Sequence, residues 1–452
     1  MAGGIWNSQN KVLPGVYINV SSQGSTNASV GSRGVVAMAE PLSWGPSGVI
    51  SQYTPGQDTT DLIGYPLTSD KALFINEIFR GTNRTSAPRL LYLYRPAGTG
   101  GTKATATIGS LTVSAMYEGL RGNDIGIIIT QDPDEESNYT VETVVDGAVA
   151  DSQTITDLSQ LVANRWVTFS GTGATITESA GDALTGGKDP TVAATDYANF
   201  LTALEPYQFD ILIYDGTDST IKQAMAAFVQ RVSNNIGQKC QVVMANAGTD
   251  NEFVISVRNG LTLQDETELT PQQATWWTGG SEAGATYYQS LTYARHPYAI
   301  AANPKLTEAE LTAAVQAGEI AFTDTFDSVK VCQDINTLTT FTPSKGQEFS
   351  KNRVMRVLMQ VCNDIYEYFS NTFIGATNND ANGRNLLKAY IVQYLNEMQA
   401  NGGVQNFAAD DVTVQQGDTI ESVLINVLIQ PVDSIEKIYM SVTVTVNAEG
   451  GE

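Results

Sequence analysis

The 452-residue sequence predicts a multidomain protein of mixed α/β and β class: a β-sandwich, a central α/β domain, and an α+β C-terminal domain, with an alternating strand near each end of the chain. Three observations predict this. Short β-branched runs separated by turn residues fill residues 99–188, the spacing of a sandwich or barrel. Helices and buried-looking strands alternate through 189–342, the pattern of a parallel α/β sheet. Two long helical stretches occupy much of 343–436. The remaining divisions are an arm and linker at 1–32, a segment at 33–98 packing with the α/β core, and a terminal strand and arm at 437–452. About three domains is also what this length suggests.

The elements follow in order. In Val16-Tyr17-Ile18-Asn19-Val20, the residues Val16, Ile18 and Val20 share one face and Tyr17 and Asn19 the other, a strand period of two. The Gly/Ser-rich run from Ser21 to Ser32 reads as a flexible tether. Val35 to Ala39 and Leu90 to Tyr94 are apolar strands flanking a helix over Lys71 to Arg80. IGIIIT, YTVETVV, RWVTFS and ATIT supply sandwich strands.

Helices are expected at Asp196 to Leu204 and Ile221 to Asn235, and strands at Phe209 to Tyr214, Gln241 to Ala245 and Phe253 to Val257. Thr307 with Glu310 three residues on is a capping box that opens a further helix. Lys351 to Phe373 repeats apolar residues at Val354, Val357, Leu358, Val361, Ile365 and Phe369, a core stripe at helical spacing. Ala381 to Ala400 is the second long helix. Val423 to Ile429 is nearly all apolar, and Met440, Val442, Val444 and Val446 alternate with polar residues.

Composition narrows the function. Forty-eight acidic against 25 basic residues give a net charge of −23, which argues against a nucleic-acid partner. One histidine, His296, leaves little material for triad catalysis, zinc ligation or a pH switch. Cys240, Cys332 and Cys362 form no CxxC and no disulfide framework, and fit a reducing cytoplasm. The start, MAGGIWNSQNK, has neither the charged region nor the apolar stretch of a signal peptide. No apolar run reaches the ~20 residues of a membrane span, so direct membrane insertion is not expected. Release by lysis or as part of a particle is the expectation.

Site-forming patterns fail one by one. GDALTGGKD (Gly181 to Asp189) lacks the spacing and hydroxyl of a phosphate loop, and no GxGxxG occurs. Asp132 to Glu136 has the charge of a calcium loop without its turn glycine. Gly279-Gly280-Ser281-Glu282-Ala283 approaches a nucleophile elbow but ends in alanine. Ser281 with His296 is accordingly the least poor candidate for the alternative function, a hydrolase on the α/β domain. No catalytic, cofactor-binding or metal residue is assigned, and no cofactor is expected.

The chain ends carry the positive signal. A tethered terminal strand with an open edge can pair with another chain, adding main-chain hydrogen bonds to a neighbour's sheet. Such head-to-tail contact closes rings or builds helical tubes. The alternative is that both strands fold back into their own sheet.

The order and spacing of LPGVYINV, RGVVAMAEPLSWGP, YEGLRGNDI, LTGGKDP, SLTYA, DINTLTTFTPSKGQEFSKNRVMRVL and QPVDSIEKIYMSVTV resemble contractile phage tail sheath proteins, of the defective-prophage and phage-tail-like bacteriocin type. That resemblance implies a β-sandwich facing outward, a central domain of subtilisin-like topology without catalysis, and a C-terminal domain facing an inner tube. It implies a structural subunit, not an enzyme, that polymerises as six-fold rings around a tail tube and contracts to drive the tube through a bacterial envelope. The partners it implies are further copies of the chain, the tube protein, and baseplate and tail terminator proteins. It places the chain in a virion or tail-like particle assembled in the host cytoplasm. The arms then exchange strands through Val16, Tyr17, Ile18, Asn19, Val20, Met440, Val442, Val444 and Val446. Charge suggests where the tube lies: residues 343–399 hold 6 bases and 5 acids, a net of +1. Lys345, Lys351, Arg353 and Arg356 are its candidate tube-facing residues, the alternative being charges that are solvated or paired within the chain.

Overall fold

The computed structural model describes residues 30–326 and 328–444, together with the backbone of Gly3–Gly4 and Val16–Tyr17. The chain divides into two units, one made of residues 31–374 with 431–452 and the other of residues 1–30 with 375–430.

The larger unit begins with β1 (Val35–Ala39), β2 (Ile50–Tyr53), α1 (Leu73–Ile78) and β3 (Leu90–Tyr94). A β-sandwich follows, from β4 (Lys103–Ile108), β5 (Leu111–Glu118), β6 (Ile125–Gln131), β7 (Tyr139–Val145), β8 (Ala148–Ile155), β9 (Val167–Ser170) and β10 (Ser179–Ala183). The chain then returns through α2 (Ala194–Leu204), β11 (Ile211–Tyr214), α3 (Ser219–Arg231), β12 (Gln241–Ala245) and β13 (Val254–Val257). It continues with α4 (Pro271–Gly284), α5 (Glu308–Gln316), β14 (Glu319–Ile320) and α6 (Asn352–Thr372).

Seven of these strands form one sheet in the order β14-β13-β12-β11-β1-β3-β2, parallel throughout except for the edge pair β2–β3. Both faces of its interior are covered, which is why β1, β3 and β11 read as continuous apolar runs. Val36, Met38, Ile211, Ile213 and Val243 point to the face closed by Phe74 and Ile78 of α1 and Trp277 of α4. Val35, Ala37, Leu212, Val242 and Met244 point to the face closed by Phe200 of α2, Phe228 of α3, and Met355 and Met359 of α6. Each large apolar side chain buried this way contributes about 1.5–3 kcal/mol.

The expected strands at β1, β3 and β12 have the bounds the sequence predicts. Thr307 accepts from the Glu310 N–H and opens α5 as its capping box requires. One expectation needs correcting. ATIT is not a strand, and the pairing instead begins at Ser179. One element was not expected: the stretch around Gly279, which fails as an elbow in sequence, is the middle of α4, whose residues Ala274 to Ala283 are buried all round. The signal was present: Thr270 caps the helix with Gln273, and Pro271 follows at the first turn. The paired glycines concealed it, because they lower helix propensity by about 1 kcal/mol each.

The sandwich pairs β8-β7-β6-β10 in one sheet and β9-β5-β4 in the other. Ile125, Ile127 and Ile129 alternate inward along β6. The body contributes to this core: Trp44 packs 5.1 Å from Trp166 and 5.3 Å from Tyr117 between ring centroids. Arg95 ties the two parts, donating to the carbonyls of Leu42, Gly45 and Glu118 at 2.6–2.8 Å. The sandwich enters and leaves side by side, since Thr99 and Thr191 exchange backbone hydrogen bonds at 2.9–3.0 Å. Gly98 (φ +58) makes that possible, because a Cβ there would sit 2.7 Å from the Thr191 carbonyl oxygen.

In the smaller unit α7 (Ala381–Ala400) is capped by Asp380, whose carboxylate accepts from the Gly383 N–H at 2.8 Å. β15 (Val412–Gln416) and β16 (Val423–Val427) form an antiparallel hairpin. Its turn is fixed by Asn379, which donates to the carbonyls of Ile420 and Ser422 at 2.8 Å.

Candidate functional site

The hydrolase candidates do not form a site. Ser281 is fully buried in α4, facing no cleft. His296 is also buried, and both of its ring nitrogens are engaged: Nδ1 accepts from the Tyr298 N–H at 3.1 Å, and Nε2 faces Glu77 Oε2 at 2.8 Å. With Nδ1 an acceptor, Nε2 carries the proton and donates to Glu77. Trp277 lies 4.9 Å from the imidazole. Burial opposes ionisation of Glu77, but His296 and Arg80 outweigh it and hold the carboxyl below its usual range. The single histidine is a structural strut between α1 and the loop before residue 299.

The four basic residues separate on inspection. Arg356 has no solvent exposure; its Nη1 pairs with Glu282, and its Nη2 donates to Asp334 Oδ2 and to the Gln289 carbonyl, both at 2.7 Å. Its expected role as a tube-facing charge is therefore corrected: it is an interior charge, one strut between α6 and α4. Asp334 also accepts the Leu291 N–H at 2.8 Å. Burial and the neighbouring Asp334 carboxylate push Glu282 well above its ordinary value, whereas Arg356 outweighs burial and holds Asp334 below its own. The two carboxyls of the pair are thus pushed in opposite directions, Glu282 toward the neutral form and Asp334 toward the anion.

Lys351 is bound to Glu436 and is mostly buried. Lys345 pairs with Glu252. Arg353 is half-buried, and burial lowers its pKa against the pull of Asp433. The sequence signal for an interior role was the spacing Arg356, Gln360, Asp364, a polar stripe at i, i+4, i+8 beside the apolar one; Gln360 donates to Asp364 at 2.7 Å.

A second carboxyl pair escaped the sequence reading. Glu40 follows β1 and Asp215 follows β11, adjacent parallel strands at the point where the order of the sheet reverses. Trp276 Nε1 donates to Asp215 Oδ2 at 2.8 Å. Burial and the proximity of Asp215 push Glu40 well above its usual range, and burial raises Asp215 as well. Burial likewise pushes the neighbouring Tyr214 hydroxyl up to about 12. The two acids lie 175 residues apart in sequence, and only the register of the sheet unites them. Among the described residues no group of three or more His, Cys, Asp or Glu side chains is arranged to hold a metal ion.

The expected exchange strands differ from one another in what is described. Val16 and Tyr17 make a short parallel backbone pair with Gly3 and Gly4. Ile18, Asn19, Val20 and Val446 lie outside the described residues. Met440, Val442 and Val444 form no strand among the described residues and are 82%, 75% and 86% exposed.

Four family models cover nearly all of the chain. Residues 33–95 match the tail sheath protein Gp18 domain III N-terminal region, and 99–189 the phage tail sheath protein beta-sandwich domain. Residues 191–337 match the phage tail sheath protein central domain, and 344–445 the phage tail sheath C-terminal domain. The chain belongs to the phage tail sheath family. This sheath protein is 33% identical to the phage-like element PBSX protein XkdK of Bacillus subtilis (strain 168), over 98% of its own length and 100% of that protein's. It is 42% identical to the sheath tail protein of Desulfitobacterium hafniense, with a TM-score of 0.85 across 94% of this chain and 99% of that one. The contracted helical sheath of the anti-feeding prophage shares the fold at 12% identity, with a TM-score of 0.58 over 96% of this chain and 99% of that one. The sheath protein is a structural component of a phage or phage-tail-like particle and not an enzyme. Nothing in its relatives favours the hydrolase alternative.

Proposed function

We propose that this sheath protein polymerises as stacked six-fold rings around an inner tail tube and contracts to drive the tube through a bacterial envelope, with subunits linked by exchanged strands. The observation that carries the reading is the apolar, alternating segment from Ile438 to Val444, which is left exposed by its own chain. A soluble protein that keeps such a segment uncovered needs another chain to cover it. The β15–β16 hairpin is its acceptor in a neighbouring copy: a two-stranded ribbon is marginal alone, and Leu424 on β16 is exposed.

The N-terminal arm, 1–32 with Val16 to Val20, serves the same linkage, and the parallel α/β body carries the subtilisin-like topology without its chemistry. The tube lies against the C-terminal domain, 343–436. Of the basic residues there Lys345 carries the proposal, since its side chain is 45% exposed while that of Arg356 is buried. Baseplate and terminator proteins cap the two ends of the polymer, and particles assemble in the host cytoplasm before lysis. Contraction draws on two packings of one lattice.

Electron microscopy of the purified chain tests this. Full-length protein should form rings or striated tubes, and a chain lacking residues 1–20 should remain a folded monomer. Regular tubes from the truncated chain would overturn strand exchange; persistent full-length monomers would overturn the polymer itself.

A further inference from the structure

The described residues that adjoin the two expected arms, Gly31 and Glu436, are both held at a single helix. At the C-terminal end the last held residue is Glu436. Its carboxylate accepts from Thr292 Oγ1 at 2.7 Å and Gln333 Nε2 at 2.6 Å, and pairs with Lys351, the residue that opens α6. From Lys437 to Val444 every described residue is exposed. On the N-terminal side the body holds Gly31. Its N–H donates to Asp364 Oδ2 at 2.9 Å, and its carbonyl accepts from Gln360 Nε2 at 3.2 Å, both partners on α6. The fit is close, because a Cβ on Gly31 would lie 2.5 Å from Asp364 Oδ1.

We infer that α6 is the common anchor of the two arms, with Glu436 and Asp364 as positioning residues that fix where each arm departs. Lys351 and Asp364 lie thirteen residues apart, about 20 Å at 1.5 Å per residue. Between them Arg356 fastens the helix to Glu282 and Asp334. The C-terminal clamp is wired to that same point, since the Asp334 N–H donates to Thr292 Oγ1 at 3.0 Å while Thr292 itself donates to Glu436. Tension on either arm therefore reaches a rigid helix bolted to the central sheet rather than a loop that would stretch. The use of the arms rests on the strand-exchange reading above; the clamps themselves do not.

Lys437, exposed and next to the clamp, gives a direct readout in the unassembled full-length chain. Trypsin must open several residues on each side of the bond it cuts, so its rate follows local release. Glu436→Ala and Lys351→Ala should raise cleavage after Lys437 about tenfold, the scale of losing charge-assisted hydrogen bonds, with the thermal melt unchanged. Lys351→Arg should cut as the parent does. Both Ala variants should give irregular or broken tubes. Unchanged cleavage would overturn the clamp, and faster cleavage with regular tubes would overturn its mechanical role. Absence of tubes from the parent chain would instead count against the polymer reading, leaving the clamp judged by cleavage alone.

Discussion

Arg356 holds two carboxyls that look alike in sequence and are pushed in opposite directions. The guanidinium holds Asp334 below its ordinary range, favouring the anion, while burial and the neighbouring Asp334 push Glu282 well above its own, favouring the neutral acid. A neutral amide can stand in for a neutral acid but not for the anion that balances a buried cation. Asp334→Asn should therefore cost about 3–5 kcal/mol, the scale of leaving a buried charge uncompensated. Glu282→Gln should cost under about 1 kcal/mol. Urea denaturation of both variants checks this, and equal costs would show the proton to be placed wrongly. The pH sense follows. The raised Glu282 adds stability that is complete below its ordinary value of 4.5 and fades as pH climbs through its folded value. The depressed Asp334 adds stability above its ordinary value of 3.8 that is lost as pH falls. The spacing of Arg356, Gln360 and Asp364 hints at an interior stripe, but it names neither carboxyl partner. A basic residue near a helix start reads as solvated until the partners, 22 and 74 residues away in sequence, are placed beside it.

Among the elements, those buried on both faces were the most legible. β1 and β3 are apolar throughout, and β12 is apolar after Gln241, so pattern bounds them. β8, with the sequence AVADSQTI and mostly exposed, offers no apolar period. Its location was written instead in the turn before it, Asp146-Gly147, where both residues have positive φ, as a two-residue hairpin requires. α4 was hidden for the opposite reason, since its glycines are there for contact and not for flexibility. A Cβ on Gly280 would overlap the Ile78 carbonyl of α1, a backbone atom that cannot rotate away. Gly280→Ala should cost about 3 kcal/mol, the upper end of ordinary overpacking, read from the urea midpoint. Gly126→Ala, whose Cβ meets nothing within 4 Å, is the control and should be near neutral.

At the scale of the whole molecule, charge opposes the assembly that the chain ends favour. Every copy carries −23, of which the 13 acids and 4 bases between residues 99 and 190 supply −9. Copies brought together repel until salt screens them, and the screening length falls from about 30 Å at 0.01 M to about 8 Å at 0.15 M. Raising ionic strength over that range should lower the protein concentration at which tubes appear, measured by light scattering. Tubes that form more readily at the lower salt would mean that attractive ion pairs, not repulsion, govern the contact.

The doorway at Thr99 and Thr191 has a different consequence. Because the sandwich enters and leaves through adjacent backbones, its whole length is topologically a single loop of the body. The body's strand order does not depend on what that loop contains. A lineage can therefore trade this module for another whose own ends lie equally close, and an engineer can graft a foreign domain there. The attachments to be respected include Trp44, which would need a new apolar socket, Arg95, which donates to the Glu118 carbonyl, and Arg121, which donates to the Gly64 carbonyl.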